Sequence, residues 1–521
     1  MPSIIPPASR FYERQLFFLV GTCFCALLFD HFVVSRWKSK ANPSGDDSDT
    51  SKPRNSSGDR PDSAGEFPSA ALKTSYGVLS KKYLLVYAIV MGADWLQGPY
   101  IYTLYNSQYN YPSTLIAVLF LTGFLSAAIF APLIGIYADR YGRRKLCLVF
   151  CITYAASCFL ILLNWFPILM AGRVLGGFST SILFSAFEAW VIAEIKNRFG
   201  AGLTNGSTSG RSGDLEARVL SKIMGRATLV NGLVAVLAGV VSNKLVSMMG
   251  TYGAPFIASA ALLGLSWIII KGSWGENYGL GGSGAHNNVP SLKGGLSEAL
   301  GLGRLGQAWA IVKSDPILLA LGLTQTCFEG SMYLFVFVWV PALQEISDST
   351  MNLPLGYIFS SFMLCMMLGS LLYTAIVSWV SSSKSKTKQS KDTSLVLHAK
   401  LSSLVVAFAG LTLALSVKSS TERERFWAFC LFEASVGMYY PVQGMLRGLV
   451  VNEEYRATLS ALFRVPLNVF VVISMLMGAS EARYTVLMVC ALMLVISSLI
   501  TGNVIIGRSS SGEKERIGGD Q

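Results

Sequence analysis

Charge is scarce in this chain. Asp, Glu, Lys and Arg make up 14% of its 521 residues, where a soluble domain carries about a quarter. That argues against a string of ordinary soluble domains, which the length alone would allow. No Cys-x-x-Cys occurs among the nine cysteines, which lie within or at the edges of apolar runs; the closest pair is Cys23 and Cys25. Buried, inert thiols fit this better than a disulfide framework or a zinc site. The chain has no Gly-rich phosphate loop, no nucleophile elbow and no metal-ligand spacing, so neither enzymatic work nor a cofactor is expected.

What the chain does have is apolar length. Hydrophobic residues make up 52% of it, and they gather in runs of about 20, the length that crosses a bilayer. The sequence therefore reads as an all-α, polytopic membrane protein whose surroundings are lipid. The formal net charge of +12 does not imply nucleic acid as a partner. Lys and Arg collect in loops on one side of the apolar runs, as the positive-inside bias requires. The loops on the other side, around Asn106–Tyr111, Met249–Tyr252 and Gln344–Asn352, carry none. Lys418–Arg425, which mixes charges, is the exception.

The most informative stretch is Gly135 to Lys145, GIYADRYGRRK. It lies between the apolar runs Leu115–Ile134 and Leu146–Leu163. Asp139, Arg140, Arg143, Arg144 and Lys145 are packed into it, with Gly135 and Gly142 as punctuation. Gly142 allows positive φ in a tight turn, and Asp139 can accept hydrogen bonds or face a helix N-terminus. A generic stop-transfer cluster would need only the basic residues. The spacing G-x-x-x-D-R-x-G-R-R-K is more specific and resembles the signature loop between the second and third helices of the major facilitator superfamily. The resemblance implies a cytoplasmic charge network, with Gly135, Asp139, Arg140, Gly142, Arg143 and Arg144 as a conformational gate.

Taken in order, residues 1–35 hold an extra transmembrane helix (Leu16–Val34) with its N-terminus outside, since more positive charge follows the run than precedes it. Residues 36–81 read as a disordered linker, 82–271 as six spans, 272–312 as a Gly-rich cytoplasmic linker, 313–507 as six more spans and 508–521 as a tail. Six spans, a basic linker and six spans form the two-half major facilitator fold, with its site between the halves near the midplane. The second half lacks the signature: the loop after Trp379 keeps positive charge but not the Gly/Asp pattern. The triplets at Asn55 and Asn205 fall in inside segments and are expected to stay unglycosylated.

Ionisable groups inside spans are costly, about 2.5–3.5 kcal/mol each at the centre, and are functional candidates by default. Asp94 sits in ADWLQGPY, where Pro99 cannot donate to the Trp95 carbonyl. A freed carbonyl beside a carboxylate suits a cation or a proton; a structural pairing with a neighbouring helix is the equal alternative. Arg173, Gly177, Thr180, Phe184 and Glu188 fall on one face at helical spacing. Glu329 lies near the centre of its span, Glu433, Tyr440, Gln443 and Arg447 share a face, and Arg464 precedes Pro466 and Asn468. Glu188 and Arg447 sit nearer the inner ends, where snorkelling or loop pairing is the ordinary role. His398, near a helix start, reads as structural.

Five stretches together narrow the family: ADWLQGPY, FSAFEAW (Phe184–Trp190), WGENY (Trp274–Tyr278), IFSSFM (Ile358–Met363) and FRVPL (Phe463–Leu467). With the extra N-terminal helix they resemble the molybdate-anion transporter branch of the superfamily, from about Lys81 to Ile506. The resemblance implies uptake of a tetrahedral dianion across a membrane, expected to be the cell membrane, by alternating access. Arg supplies a fork of donors to oxyanions, so Arg464 and Arg173 are the expected ligands, with Gln97, Tyr440 and Asn468 around them. Asp94, Glu329 and Glu433 would repel a dianion unless protonated or paired, which points to coupling with protons. Competing readings are a carrier of another oxyanion such as sulfate, a carrier of an organic solute, and a non-transporting membrane scaffold.

Overall fold

The computed structural model describes residues 7–41, 70–200, 209–278, 309–310, 312–347, 353–383, 391–451, 456–477 and 482–506, and its elements are helical. They are α1 (Pro7–Ala41), α2 (Ala70–Gln97), α3 (Ile101–Thr103), α4 (Ser113–Tyr141), α5 (Arg143–Ile161), α6 (Phe166–Leu183), α7 (Ala186–Ile195), α8 (Ser209–Met249), α9 (Ala254–Ser273), α10 (Pro316–Ile346), α11 (Leu355–Ser383), α12 (Lys391–Lys418), α13 (Glu422–Val450), α14 (Arg456–Leu476) and α15 (Arg483–Thr501). Among the described residues, ten stretches are long and apolar enough to cross a membrane. Most of the linker 36–81, most of the linker 272–312, the tail 508–521 and both glycosylation triplets lie outside the described residues.

The helices pack as two halves of six spans. In the first, α4 lies on α6, α5 on α6 and α9, and α2 on α8 and α9. In the second, α11 lies on α13, α12 on α13 and α15, and α10 on α14 and α15. The halves meet where α8 packs on α11 and α4 on α14. Successive spans alternate in direction, so one end of the bundle carries the Gly142 turn (the loop end) and the other is the far end. The extra helix α1 packs on α11, and at the far end the Tyr12 hydroxyl donates to Glu422.

Three departures from the sequence expectations have local causes. Helix α2 starts at Ala70, inside the expected linker, because Tyr76, Leu79, Ser80 and Tyr83 form a buried stripe at helical spacing. Arg226 of α8 covers the Tyr76 ring at 5.4 Å. The first core span breaks at Pro99: α2 ends at Gln97, and the Gly98 N–H turns back to the Trp95 carbonyl at 3.3 Å. The span read as one continuous helix face from Arg173 to Glu188 is two helices, α6 and α7. Hydroxyls of Thr180, Ser181 and Ser185 each donate to the carbonyl four residues back. Such back-bonding competes with the helix ladder and bends it.

Candidate functional site

In the first half, Pro99 ends α2 just beyond Asp94, which leaves that carboxylate near the middle of the bundle. The Tyr154 hydroxyl of α5 donates to Asp94 Oδ1 at 2.5 Å. Arg173 of α6 lies across Gly123 of α4, where a Cβ would meet the guanidinium at 2.6 Å. From there its Nε donates to the Leu119 carbonyl at 3.1 Å, with the Phe120 ring 5.3 Å away. Arg173 also lies within electrostatic reach of Tyr154 and Tyr105. Gln97 is buried and donates to the Ala93 carbonyl of its own helix at 3.1 Å, so its amide N–H is committed locally.

In the second half, Glu329 of α10 accepts from Arg447 of α13 at 3.3 Å and from the Gln325 amide at 3.3 Å. Snorkelling is thus not what Arg447 does: it turns inward to a carboxylate on another helix. Tyr440 is 47% exposed and donates to Met332 Sδ at 3.2 Å, and Glu433 is buried in α13. Arg464 of α14 is exposed and has no ion pair among the described residues. It lies within electrostatic reach of Tyr333, which stacks on Phe124 of the first half at 5.1 Å. Neither Asp94 nor Glu433 forms an ion pair with Arg464 here. Asn468, one turn on, is half-buried. Gln443, on the face expected to carry Glu433 and Arg447, instead donates to Ser402 of α12 at 2.9 Å.

Contacts between the halves run from mid-height to the far end. Tyr100, which donates to Asn243 of its own half at 2.8 Å, accepts from the Gly356 N–H of the second half at 3.4 Å. Ser360 donates to the Val236 carbonyl at 2.7 Å. Phe337 packs edge-on against Tyr102 and Phe120, at 5.9 and 5.3 Å. The bundle is closed on the far side.

The loop end of the first half is held by a strap that the sequence marked only as the family-like WGENY stretch. Beyond α9 the chain turns under the first turn of α5. Glu276 accepts from the backbone N–H of Arg144 at 2.9 Å and of Lys145 at 3.2 Å, and the Asn277 carbonyl accepts from the Arg143 N–H at 3.0 Å. Helix N-termini leave these donors open, and their dipole favours an anion. Trp274 stacks on Trp190 of α7 at 3.7 Å, and Trp190 Nε1 donates to the Gly275 carbonyl at 2.9 Å. Arg143 donates to the Ala189 carbonyl at 3.0 Å, and Arg144 to the Lys271 carbonyl at 2.6 Å. Gly142, at φ 104°, is required twice: for its conformation, and because a Cβ there would sit 2.6 Å from the Glu276 carboxylate. Gly135, Asp139 and Arg140 lie on α4; their side chains are outside the described set. The signal that could have pointed to Glu276 was an acidic residue directly after a span and facing a basic loop.

Removing that anion with Glu276→Ala should cost about 1–2 kcal/mol at the α5 N-terminus and lower uptake several-fold at equal surface abundance. Glu276→Gln, which keeps one acceptor oxygen, should fall between. Wild-type uptake in the alanine variant would mean that the strap has no part in the cycle.

Two six-span halves that meet through α8 on α11 and α4 on α14 have the architecture of a twelve-span membrane transporter. Residues 67–421 match the model of a family described as sugar transporters with 12 transmembrane spans. Molybdate-anion transporters are similar over most of the chain. The one from Takifugu rubripes is 29% identical over 462 residues (83% of this chain, 90% of that one), and the one from Xenopus laevis is 34% identical over 387 (73% and 75%). A solved nucleoside transporter (TM-score 0.58, 10% identity, 81% of this chain and 98% of that one) shares the fold. So does a solved peptide transporter (TM-score 0.59, 12%, 83% and 95%). The chain belongs to the major facilitator superfamily and, within it, to the molybdate-anion transporter family.

Proposed function

We propose that this chain carries molybdate across the cell membrane by alternating access, coupled to protons, with its loop end in the cytoplasm. The observation that carries the reading is the 34% identity to a molybdate-anion transporter over 387 residues. The site is chemically suited to the cargo. A tetrahedral dianion near the midplane needs fixed positive charge and directed donors, and guanidinium groups supply both. Arg464 is exposed on α14, which packs on α4 of the first half, and Arg173 of α6 lies against that same helix. Arg447 offsets Glu329, and the Tyr154 hydroxyl donates to Asp94. With Glu433, these carboxylates are the groups whose protonation would admit the anion and whose ionisation would release it. The basic clusters Arg140–Lys145, around the Gly142 turn, and Arg218–Arg226, toward the N-terminal end of α8, favour a cytoplasmic loop end.

The direct test is uptake of labelled molybdate into vesicles holding the purified protein, with sulfate as competitor. Saturable uptake that resists a large excess of sulfate supports the reading. Equal competition would make the chain a general oxyanion carrier, and no uptake of either anion would defeat it.

Arg464 gives a sharper expectation. Arg464→Lys keeps the charge but removes the planar fork. A charge-assisted hydrogen bond is worth about 1.5–3 kcal/mol, so the apparent KM for molybdate should rise roughly ten- to a hundredfold. Protein levels should stay normal, because Arg464 is exposed and forms no ion pair among the described residues. Unchanged uptake by a well-expressed Arg464→Ala variant would remove this residue from the binding site.

A further inference from the structure

The Glu329–Arg447 pair uses little of what an arginine can give. Charge-assisted N–H···O contacts run at about 2.7–2.9 Å, and an arginine fork commonly makes two of them. Here one Arg447 Nη2 contact reaches Glu329 Oε1 at 3.3 Å, and the other Glu329 oxygen accepts from the Gln325 amide at 3.3 Å. Arg447 Nε is buried with no acceptor among the described residues. Two turns back on the same stripe of α13, Tyr439 is 1% exposed, and its hydroxyl also lacks a partner among them. Its ring lies face to face with Phe328 of α10 at 3.8 Å, which fixes where the hydroxyl points. Buried donors without acceptors are costly and call for an explanation. Unpaired amide oxygens at Gln325 and Gln443 flank them. Gln443 can turn its amide and keep Ser402, whose hydroxyl donates as well as accepts, and so add an N–H to the set. The pair also sits at the seam between the halves. One turn further along α10, Tyr333 stacks on Phe124 of α4 at 5.1 Å. About one turn earlier, Thr326 donates at 3.5 Å to the carbonyl of Phe463, the residue before Arg464. The Arg447 side chain is 25% exposed and that of Glu329 12%, so the guanidinium is the more accessible member. Glu433, on the same face of α13, lies about 21 Å along the helix from Arg447 and is no rival for it.

We propose that Arg447 is a further molybdate ligand and that Glu329 is the competitor that takes it back. The proposal rests on the molybdate reading above and adds a residue to that site. In the empty carrier the Glu329 carboxylate holds the guanidinium by one edge. An arriving oxyanion takes the fork with two oxygens, fills the open Arg447 Nε and the Tyr439 hydroxyl, and displaces Glu329. A dianion outcompetes a single carboxylate for a shared cation because it carries twice the charge. When the anion leaves, Glu329 closes on Arg447 again, so the half-buried guanidinium does not stand unpaired, a state that is strongly destabilising. Only hydrogen bonds change hands in this exchange, and no proton has to move.

The experiment is uptake of labelled molybdate by the full chain in proteoliposomes, with KM and kcat separated and the melting temperature followed beside them. Glu329→Gln keeps the shape and an oxygen for the Gln325 amide but gives up the charge. It should lower KM about tenfold and kcat by a similar factor, because nothing reclaims the guanidinium from the anion. Arg447→Lys should raise KM about tenfold or more, and in that background Glu329→Gln should shift KM by no more than about twofold. Tyr439→Phe, which keeps the Phe328 stack and removes one donor, should raise KM several-fold even if Arg447→Lys folds poorly. Glu194→Gln, which breaks the Glu194–Arg198 pair at 2.7 Å, should change neither constant. A wild-type KM in Glu329→Gln, whatever its melting temperature, would overturn the assignment and leave the pair a structural tie. Equal tightening with Arg447 and with Lys in its place would overturn it as well. A wild-type protein that takes up no molybdate would instead defeat the transport reading itself, an outcome read before any variant is made.

Discussion

Arg425→Ala should leave little folded protein. This arginine is 2% exposed at the far end of α13, and no carboxylate faces it among the described residues. Its guanidinium donates instead to the Ser416 carbonyl at 3.0 Å, the Ser419 carbonyl at 3.3 Å, the Ala342 carbonyl at 2.8 Å and the Tyr484 hydroxyl at 3.2 Å. Those acceptors lie at the closing turns of α10 and α12 and the start of α15. Helix C-termini carry unpaired carbonyls and partial negative charge, so one buried cation ties together the ends of four helices. Each orphaned carbonyl costs about 1–3 kcal/mol, and three of them would consume much of a stability of about 5–15 kcal/mol. Arg425→Lys, with a single point charge, should recover only part of the loss. Monodisperse yield in detergent and the melting temperature are the measurements; an alanine variant with wild-type values for both would contradict the assignment.

The second large effect is expected at the seam between the halves. Gly239 of α8 and Gly356 of α11 approach so closely that a Cβ on either would collide with the other's backbone carbonyl. Gly356→Leu should therefore prevent closure of the far side. Each half keeps its own packing, so abundance should stay near normal while uptake falls at least tenfold, a loss of about 1.4 kcal/mol or more in the step that closes the far side. A Tyr102→Cys reporter, buried against Phe337 in the closed form, should become reactive to an added thiol reagent in the Gly356→Leu background. Normal uptake, or a reporter that stays protected, would show that this seam does not govern closure.

The features legible in the sequence were those set by composition and by residues close in the chain. Span number, the two halves and the Gly142 turn follow from apolar length and from charges packed into eleven positions. The charged candidates inside the spans were legible as a list, because a charge in an apolar run is conspicuous whatever it touches. Their partners were not. Arg447 looked like a snorkelling end residue, yet it meets Glu329, a residue 118 positions away. Glu276 was legible only as an acidic residue after a span, since the donors it satisfies belong to a helix 132 residues earlier. Arg425 looked like one charge in a mixed outer loop, and only the convergence of three other helix ends makes it a core residue. The break before α7 was hidden because its Ser and Thr hydroxyls act on carbonyls of their own helix, where a face diagram assumes an unbroken spiral.

Helix α1 is first in the chain but is fastened to the second half. Phe11 and Tyr12 pack on Phe426 at 6.1 and 5.1 Å, and Arg423 lies 4.7 Å over the Phe11 ring. Covalent order and mechanical order therefore part company. A dye placed near Pro7 would ride with α11 and α13, and a second dye beside Lys145 would ride with α5. The distance between them would then serve as a gauge of rocking, read from two labels on the same half of the covalent chain.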